Sequence, residues 1–322
     1  MIIQQIICIM VTAYIQGDKM INVIITGTGG MIPLPDRFLA SCVIEYNGRK
    51  ILIDCGEGTQ VSLHKGKISI SKIDVILLTH CHADHITGLP GLLLTIGNSG
   101  RTEPLDIIGP RGSMSIINSL LVVCGYLPFE VRMSELHDTK PVEFEQIGLN
   151  ITSIPLKHHM NCVGYSLELK LKPHFNPEKA KQLNIPVNFW RTLHGGESVK
   201  VMDKTITPDM VLGEERPPIK ISYVTDTRPV DWINKIVRNS DLFICEGMYG
   251  DDEQKEKTSE KMHMIFSEAA EIARDSNVKE LWLTHFSPAM PNPGEYINFA
   301  KVIFSNTFVG HDHMTKYLKP EE

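Results

Sequence analysis

The feature that most constrains this chain is a cluster of metal-binding side-chain types packed into residues 80–85. The surrounding stretch, "LLTHCHADHITGLPGLLL" at 77–94, holds His80, His82, Asp84 and His85 between an apolar run and an amphipathic one. Protonated histidines this close together would repel one another, whereas neutral imidazoles and a carboxylate can share one bound cation. Imidazole nitrogens and carboxylate oxygens are ligands that Zn²⁺ accepts, so the cluster indicates a metal site at a strand-to-helix corner.

Spacing divides the cluster into two parts. His80 and His82 alternate along an extended segment and therefore project to the same side, as ligands of one cation would. Asp84 and His85 follow at the turn, where they can serve a second cation, although Asp84 can equally be a helix N-cap. Cys81 points to the opposite face of the segment and is expected to be a buried, inert thiol.

One short motif supplies too few ligands for two cations, so others must come from distant parts of the chain. Predicted strands end repeatedly in a polar residue: Asp54, His80, Asp226, Glu246 and His285. Functional sites of layered α/β proteins gather at strand ends, because the sheet holds the backbone while the following loop is free to vary. The distant candidates are therefore Asp226, His285 and one of His158 and His159.

β-Branched runs alternate with helical stretches along most of the chain. The predicted strands are 22–26, 41–46, 50–54, 74–78, 105–109, 143–156, 164–171, 220–226, 241–247 and 280–285, and the later helices are 232–239 and about 260–275. Segment 172–218 is richer in proline and charge, which is typical of an inserted arm. Residues 1–19 form an apolar extension, either an additional strand or sequence upstream of a chain that begins at Met20.

Charge and cysteine content limit which partners and which cellular compartment the sequence favours. The chain has 322 residues, 42% of them hydrophobic, and a net charge of −6, so no global positive field attracts nucleic acid. The seven cysteines are odd in number and scattered, which favours reduced thiols in a cytoplasmic protein. The apolar start, residues 1–16, is too short to span a bilayer, and we expect no membrane segment there.

The stretch 79–85 fits the "THxHxDH" signature and resembles the metallo-β-lactamase superfamily. "TGTGGMIPLPDR" (26–37), "LIDCGEGTQ" (52–60), "HITGLPGLLL" (85–94), "VTDTRP" (224–229) and "LTHFSP" (283–288) further resemble ribonuclease Z, the endonuclease family that removes 3′ trailers from precursor tRNA. This resemblance implies an α/β fold, an αββα sandwich with a dinuclear zinc site along one edge. It also implies a single domain over 20–322 with an inserted flexible arm at about 172–218 that binds substrate.

Carried over residue by residue, the resemblance assigns seven ligands to two zinc ions per subunit. One ion takes His80, His82 and His158, the other takes Asp84, His85 and His285, and Asp226 bridges them. His158 is preferred to His159 because the family's histidine lies six residues before the glycine of the Gly164-Tyr165 pair.

The mechanism that these ligands support gives a second role to Asp84 and roles to two further residues that match family positions, His263 and Asp54. Asp84 accepts or steers the proton of the attacking water. His263, expected on a helix, is the candidate donor of a proton to the leaving 3′-oxygen, although without the family context a helix-surface histidine fits the sequence equally well. Asp54 orients a ligand histidine, although an N-cap for a helix opening near Glu57 fits the sequence equally well.

The arm departs from the family pattern, which usually holds a Gly-Pro pair. Here Phe189, Trp190 and Arg191 occupy that region, and they can grip RNA or pack onto a partner subunit. Lys65 is a further candidate substrate contact. The partners implied are precursor tRNA and a second copy of the chain in a homodimer.

Other functions remain open at this stage. A dinuclear phosphodiesterase acting on small or cyclic phosphodiesters would keep the metals and change the substrate. A lactamase-like or thioester hydrolase would keep the fold alone, which does not settle function. A metal-stabilised binding module without catalysis is disfavoured, because His263 and all seven candidate ligands are present.

Overall fold

The computed structural model describes residues 20–137 and 139–320, so the apolar extension 1–19 lies outside the described residues. The chain divides into two compact units. The larger one consists of residues 21–169 and 220–318, and the smaller one of residues 170–219 with the described residues at both chain ends.

The larger unit contains two seven-stranded sheets, the first ordered β16-β1-β2-β3-β4-β5-β6. Its strands are β1 (Ile21–Gly27), β2 (Ser41–Tyr46), β3 (Arg49–Ile53), β4 (Ile73–Leu77), β5 (Leu105–Pro110), β6 (Val131–Leu136) and β16 (Thr315–Leu318). Strands β16, β1, β2 and β3 pair antiparallel, whereas β3, β4, β5 and β6 pair parallel. The carboxyl ends of the parallel strands therefore meet at one edge.

The second sheet is ordered β15-β14-β13-β12-β9-β8-β7. Its strands are β7 (Val142–Gln146), β8 (Leu149–Pro155), β9 (Val163–Leu169), β12 (Ile219–Val224), β13 (Leu242–Glu246), β14 (Leu281–Thr284) and β15 (Thr307–Val309). Strands β12 to β15 are parallel. A hydrogen bond of 2.6 Å from the Tyr165 hydroxyl on β9 to the Leu78 carbonyl joins this sheet to the first one.

Helices cover the outer faces of the two sheets. They are α1 (Thr59–Lys65), α2 (Ala83–Ile86), α3 (Leu89–Asn98), α4 (Ser113–Leu121), α7 (Asp231–Val237), α8 (Lys255–Glu260), α9 (Phe266–Asp275) and α10 (Ile297–Lys301). Helices α1, α3 and α4 bury residues such as Leu92 in a core with the first sheet, and α7, α9 and α10 bury residues such as Ala270 in a core with the second. Among the described residues, no helix is long and apolar enough to cross a membrane.

The smaller unit has its own apolar core. It contains α5 (Pro177–Gln182), α6 (Trp190–Gly195) and a two-stranded sheet of β10 (Val199–Val201) and β11 (Lys204–Ile206). Trp190 lies at the centre of this core, only 2% exposed, and its indole donates to the Ile185 carbonyl at 3.0 Å. The aromatic residue thus stabilises the unit itself.

Two of the predicted elements were wrong in detail. The strand expected over 143–156 is a hairpin, β7 and β8, that turns where Ile147 and Gly148 adopt positive φ angles of 49° and 83°. The long helix expected from about residue 260 begins only at Phe266, as α9, because Met262 has a φ of 60° and the chain is extended before α9. His263 therefore lies in the extended segment that precedes α9 rather than on a helix.

Candidate metal centre

Side chains that follow parallel strands of both sheets meet in one place. Asp54 follows β3, Asp226 lies two residues beyond β12, Glu246 ends β13 and His285 follows β14. Three of them, Asp54, Asp226 and His285, have positive φ angles of 58°, 52° and 58°, a conformation that turns the chain sharply at the end of its strand. Such strained backbone clusters at functional sites, where the surrounding structure holds it in place.

The corner between β4 and α2 supplies the sequence cluster. His82 is the residue that precedes α2, with an extended φ and ψ of −67° and 153°, and Asp84 lies in the first helical turn. Asp84 does not act as the N-cap, because its Oδ2 atom accepts a hydrogen bond of 2.7 Å from the Met31 amide. The carboxylate is thus fixed from the opposite side by the loop after β1.

A first donor group consists of His80, His82, His158 and Asp226, each offering one ligand atom to a common point. The Nε2 atoms of His80 and His158 lie 3.0 and 3.2 Å from His82 Nδ1, and 3.6 and 3.8 Å from Asp226 Oδ2. His159 is exposed and is not in the group. The structure therefore brings His158, and not its neighbour, to the cluster.

A second donor group consists of Asp84, His85 and His285. The Nε2 atoms of His85 and His285 are 3.1 Å apart, and they lie 3.6 and 3.3 Å from Asp84 Oδ2. Asp226 Oδ1 approaches the same two nitrogen atoms at 3.4 and 3.2 Å. One carboxylate therefore faces both donor groups, with Oδ2 toward the first and Oδ1 toward the second.

These spacings suit a pair of divalent cations. A tetrahedral ion with ligands at 2.0–2.1 Å has ligand–ligand distances of about 3.3 Å, and the distances in both groups lie around that length. Asp226 Oδ1 is buried without a hydrogen-bond partner, which leaves a carboxylate oxygen that a cation would satisfy. Burial lowers the pKa values of His80, His82 and His158, that of His158 to about 4, and neutral imidazole is the form that binds metal.

Asp54 supports the second donor group from behind. Its carboxylate accepts hydrogen bonds of 2.8 Å from the Thr79 amide and hydroxyl, and the Nδ1 atom of His85 lies 2.8 Å from the same carboxylate. A proton held on Nδ1 leaves Nε2 of His85 free to bind a cation. The alternative role as a helix N-cap is not seen, because α1 begins after Gly58.

His263 lies beside the donor groups. Its Nδ1 atom is 2.9 Å from the fully buried carboxylate of Glu246, whose other oxygen accepts from the Thr227 amide. Its ring is stacked on that of His285, with centroids 5.6 Å apart. Burial alone would lower the pKa of His263, but the charge of Glu246, its hydrogen bond to the ring and the charge of Asp226 together outweigh burial and raise that pKa to about 9.

Arg228 holds the segments around His263 together. Its guanidinium donates to the His263 carbonyl and forms two hydrogen bonds with Glu268, one of them 2.8 Å long. Its amide donates at 3.0 Å to the carbonyl of Lys157, the residue before His158. A single residue beyond the Asp226 turn thus links the His158 loop and the His263 segment.

Relatives with curated names match nearly the whole chain. The ribonuclease Z of Clostridium kluyveri is 51% identical over 304 residues, which cover 94% of this chain and 100% of that protein. The ribonuclease Z of Clostridium acetobutylicum is 49% identical, with coverages of 94% and 99%. The chain belongs to the ribonuclease Z family. The family predicted from the sequence motifs is therefore confirmed.

Solved structures similar to this ribonuclease Z family member agree on the fold. The short form of human tRNase Z is 25% identical, with a TM-score of 0.67 and coverages of 92% of this chain and 98% of that one. The metallo-β-lactamase fold protein YhfI of Bacillus subtilis has a TM-score of 0.67 at 18% identity, with coverages of 93% and 100%. The predicted αββα metallo-β-lactamase fold is thus confirmed.

A family model described as Anti-Pycsar protein Apyc1 matches residues 21–184, just over half of this ribonuclease Z family member. The chain therefore belongs to that family of sequences as well. The matched part includes the corner of residues 80–85 and His158, but not Asp226, His263 or His285.

Glu246 and Arg228 are the members of this site that sequence reasoning missed. The sequence shows Glu246 as the polar end of a strand but does not indicate its partner, because the contact with His263 joins residues 17 positions apart. Arg228 lies inside the "VTDTRP" motif, two residues after Asp226. A polar residue that ends a buried strand, or that lies two residues after a candidate ligand, is the signal that would have found both.

The predicted substrate contacts differ in exposure. Trp190 has no exposed face to stack on a base, so the structure contradicts that expectation for its side chain. Phe189 is half-buried against the core of the smaller unit, and Arg191 is exposed. Lys65 is exposed at the end of α1, with its ammonium 5.7 Å from the centroid of the Phe38 ring.

Proposed function

We propose that this chain is a zinc-dependent endoribonuclease that removes the 3′ trailer from precursor tRNA. The tRNA would keep a 3′-hydroxyl and the trailer would carry a 5′-phosphate. The observation that carries this proposal is the pair of histidine and aspartate donor groups that share Asp226, found in a chain 51% identical to a ribonuclease Z. Relatives of that name process RNA, and the donor groups supply what phosphodiester hydrolysis requires.

Two zinc ions per chain is the stoichiometry that the donor groups support. His80, His82 and His158 would hold one ion and Asp84, His85 and His285 the other, with Asp226 shared between them. Bound there, the ions would make hydroxide available near neutral pH and withdraw charge from the phosphoryl oxygens.

Asp84 and His263 transfer the protons during hydrolysis of the phosphodiester. Asp84 accepts the proton of the attacking water, and the Met31 amide fixes its carboxylate for that role. His263 donates a proton to the departing 3′-oxygen of the upstream nucleotide. Because its Nδ1 proton is held by Glu246, the Nε2 atom is the one available to the leaving group.

We further propose that the enzyme is a cytoplasmic homodimer. The larger unit exposes apolar side chains that lie close together in sequence, namely Val122, Val123 and Tyr126, which are 77%, 74% and 87% exposed. Contiguous exposed apolar surface is unfavourable for a monomer in water. A second copy of the chain would cover this apolar surface. Free cysteines, six of them among the described residues, fit a reducing compartment.

The decisive test uses one precursor tRNA with a 3′ trailer and one small chromogenic phosphodiester as parallel substrates. We expect cleavage at the trailer junction, with a 3′-hydroxyl and a 5′-phosphate identified by end labelling. The Asp84→Ala variant, checked for folding, should lose activity by about two to four powers of ten. Turnover of the small diester alone, with no tRNA cleavage, would favour the phosphodiesterase alternative and refute the proposal.

A further inference from the structure

Two lysine side chains converge on one buried tyrosine next to the segment that carries His263. The ammonium groups of Lys257 and Lys261 lie 4.9 and 6.0 Å from the centroid of the Tyr249 ring. Lys261 Nζ also lies 3.4 Å from the Tyr249 hydroxyl. Both lysines are exposed, whereas Tyr249 is 4% exposed. Two positive charges thus lie close to the ring of Tyr249, which we call the Tyr249 platform.

Neither ammonium has a carboxylate partner among the described residues, although acidic side chains surround them in sequence. Lys255, in the same helix α8, does have one, with its Nζ 3.6 Å from Glu268. Lys257 lies in α8 and Lys261 directly follows that helix, and because both ammonium groups lie over the same ring, their like charges repel each other. An anion bound between them would relieve this repulsion.

The pair lies at the leaving-group side of the proposed reaction. Lys261 is two residues before His263, so the backbone between them spans at most about 7 Å. The intervening Met262 carbonyl lies 3.3 Å from His158 Nδ1, which ties this segment to the first donor group. The Tyr249 hydroxyl contacts Ser287, two residues after His285. The lysines are thus fixed from two sides relative to the candidate metal centre.

We propose that Lys257 and Lys261, together with the Tyr249 platform, bind a backbone phosphate of RNA upstream of the scissile bond. This assignment rests on the proposed function, in which His263 protonates the 3′-oxygen of the upstream nucleotide. The RNA strand that leads to that oxygen must leave the site past His263. Lysine ammonium groups bind phosphate as point charges and carry no base specificity, which suits a contact to the RNA backbone.

The test measures precursor-tRNA cleavage by Lys257→Ala, Lys261→Ala and the double variant over about 50 to 200 mM salt. Each substitution should raise KM by about three- to tenfold at the lowest salt, with a smaller effect on kcat. The slope of log(kcat/KM) against log salt should fall by about one for each lysine removed. A Lys257→Arg/Lys261→Arg variant should recover both values.

Lys301→Ala is the matched control, because Lys301 is exposed and holds its ammonium 5.8 Å from the centroid of the Phe308 ring in another part of the larger unit. It should leave KM and the salt slope unchanged. If the double variant keeps the KM and slope of the unsubstituted protein, the lysine assignment is overturned while the endonuclease function stands. If the unsubstituted protein fails to cleave precursor tRNA, the proposed function and this assignment are both refuted.

Discussion

At the scale of single residues, His263 stands apart from the candidate metal ligands. The seven candidate ligands form the two donor groups. His263 lies beside them and is hydrogen-bonded to Glu246, which belongs to neither donor group. Asp226, His263 and His285 also offer atoms close to one another, so His263 is near enough to a ligand set to be mistaken for a member. Its pairing with Glu246 is what favours a role as proton donor.

Replacement of His263 by alanine tests this distinction. Removing a proton donor without removing a ligand should lower kcat for tRNA cleavage by about two to four powers of ten and leave the metal content at two ions per chain. Elemental analysis of the purified variant beside the unsubstituted protein measures the second quantity. Loss of an ion from the variant would show that His263 is a ligand.

Replacement of Glu246 by glutamine tests how the proton is held. The Glu246 carboxylate raises the pKa of His263, and the proposed role needs the protonated form, so the rate should fall as pH rises through that pKa. Without the carboxylate charge the pKa of His263 falls, and the alkaline decline of kcat should move to lower pH. A pH–rate profile that keeps its alkaline limb in Glu246→Gln would contradict the assignment.

At the scale of elements, the site is built from short segments that lie at the ends of strands and helices. Helix α9 begins directly after the His263 segment, and Glu268 in its first turn accepts from the Ile265 amide at 3.2 Å as well as from Arg228. The ion pair thus joins the start of α9 to the turn after β12. This connection fixes the distance between His263 and Asp226.

Replacement of Arg228 tests that connection. Arg228→Met should lower kcat by about tenfold to a hundredfold with little change in KM or metal content, because His263 loses its backbone support while the ligands remain. Arg228→Lys keeps the charge but not the two-pronged contact, and should recover only part of the rate. Arg274→Met, which removes an exposed arginine paired with Asp275, is the control. Equal effects of the two methionine variants would refute a positioning role for Arg228.

At the scale of the whole molecule, sequence patterns predicted most strands of the two large sheets and the side chains that meet in the two donor groups. The predicted strands follow from β-branched runs, and the candidate ligands from the motif at 80–85, from polar residues at strand ends and from the family pattern around His158. The hairpin at Ile147-Gly148 and the break at Met262 escaped prediction, because residues other than glycine at positive φ carry no clear sequence signal. The burial of Trp190 escaped as well, because it depends on how the smaller unit packs on itself.

The central claim is that two bound cations make this fold a nuclease, and metal titration of the stripped protein measures it most directly. Protein freed of metal by a strong chelator, with elemental analysis as proof, should not cleave precursor tRNA. Stepwise addition of Zn²⁺ should restore cleavage until two ions are bound per chain. Full cleavage by protein shown to hold no metal would contradict the account.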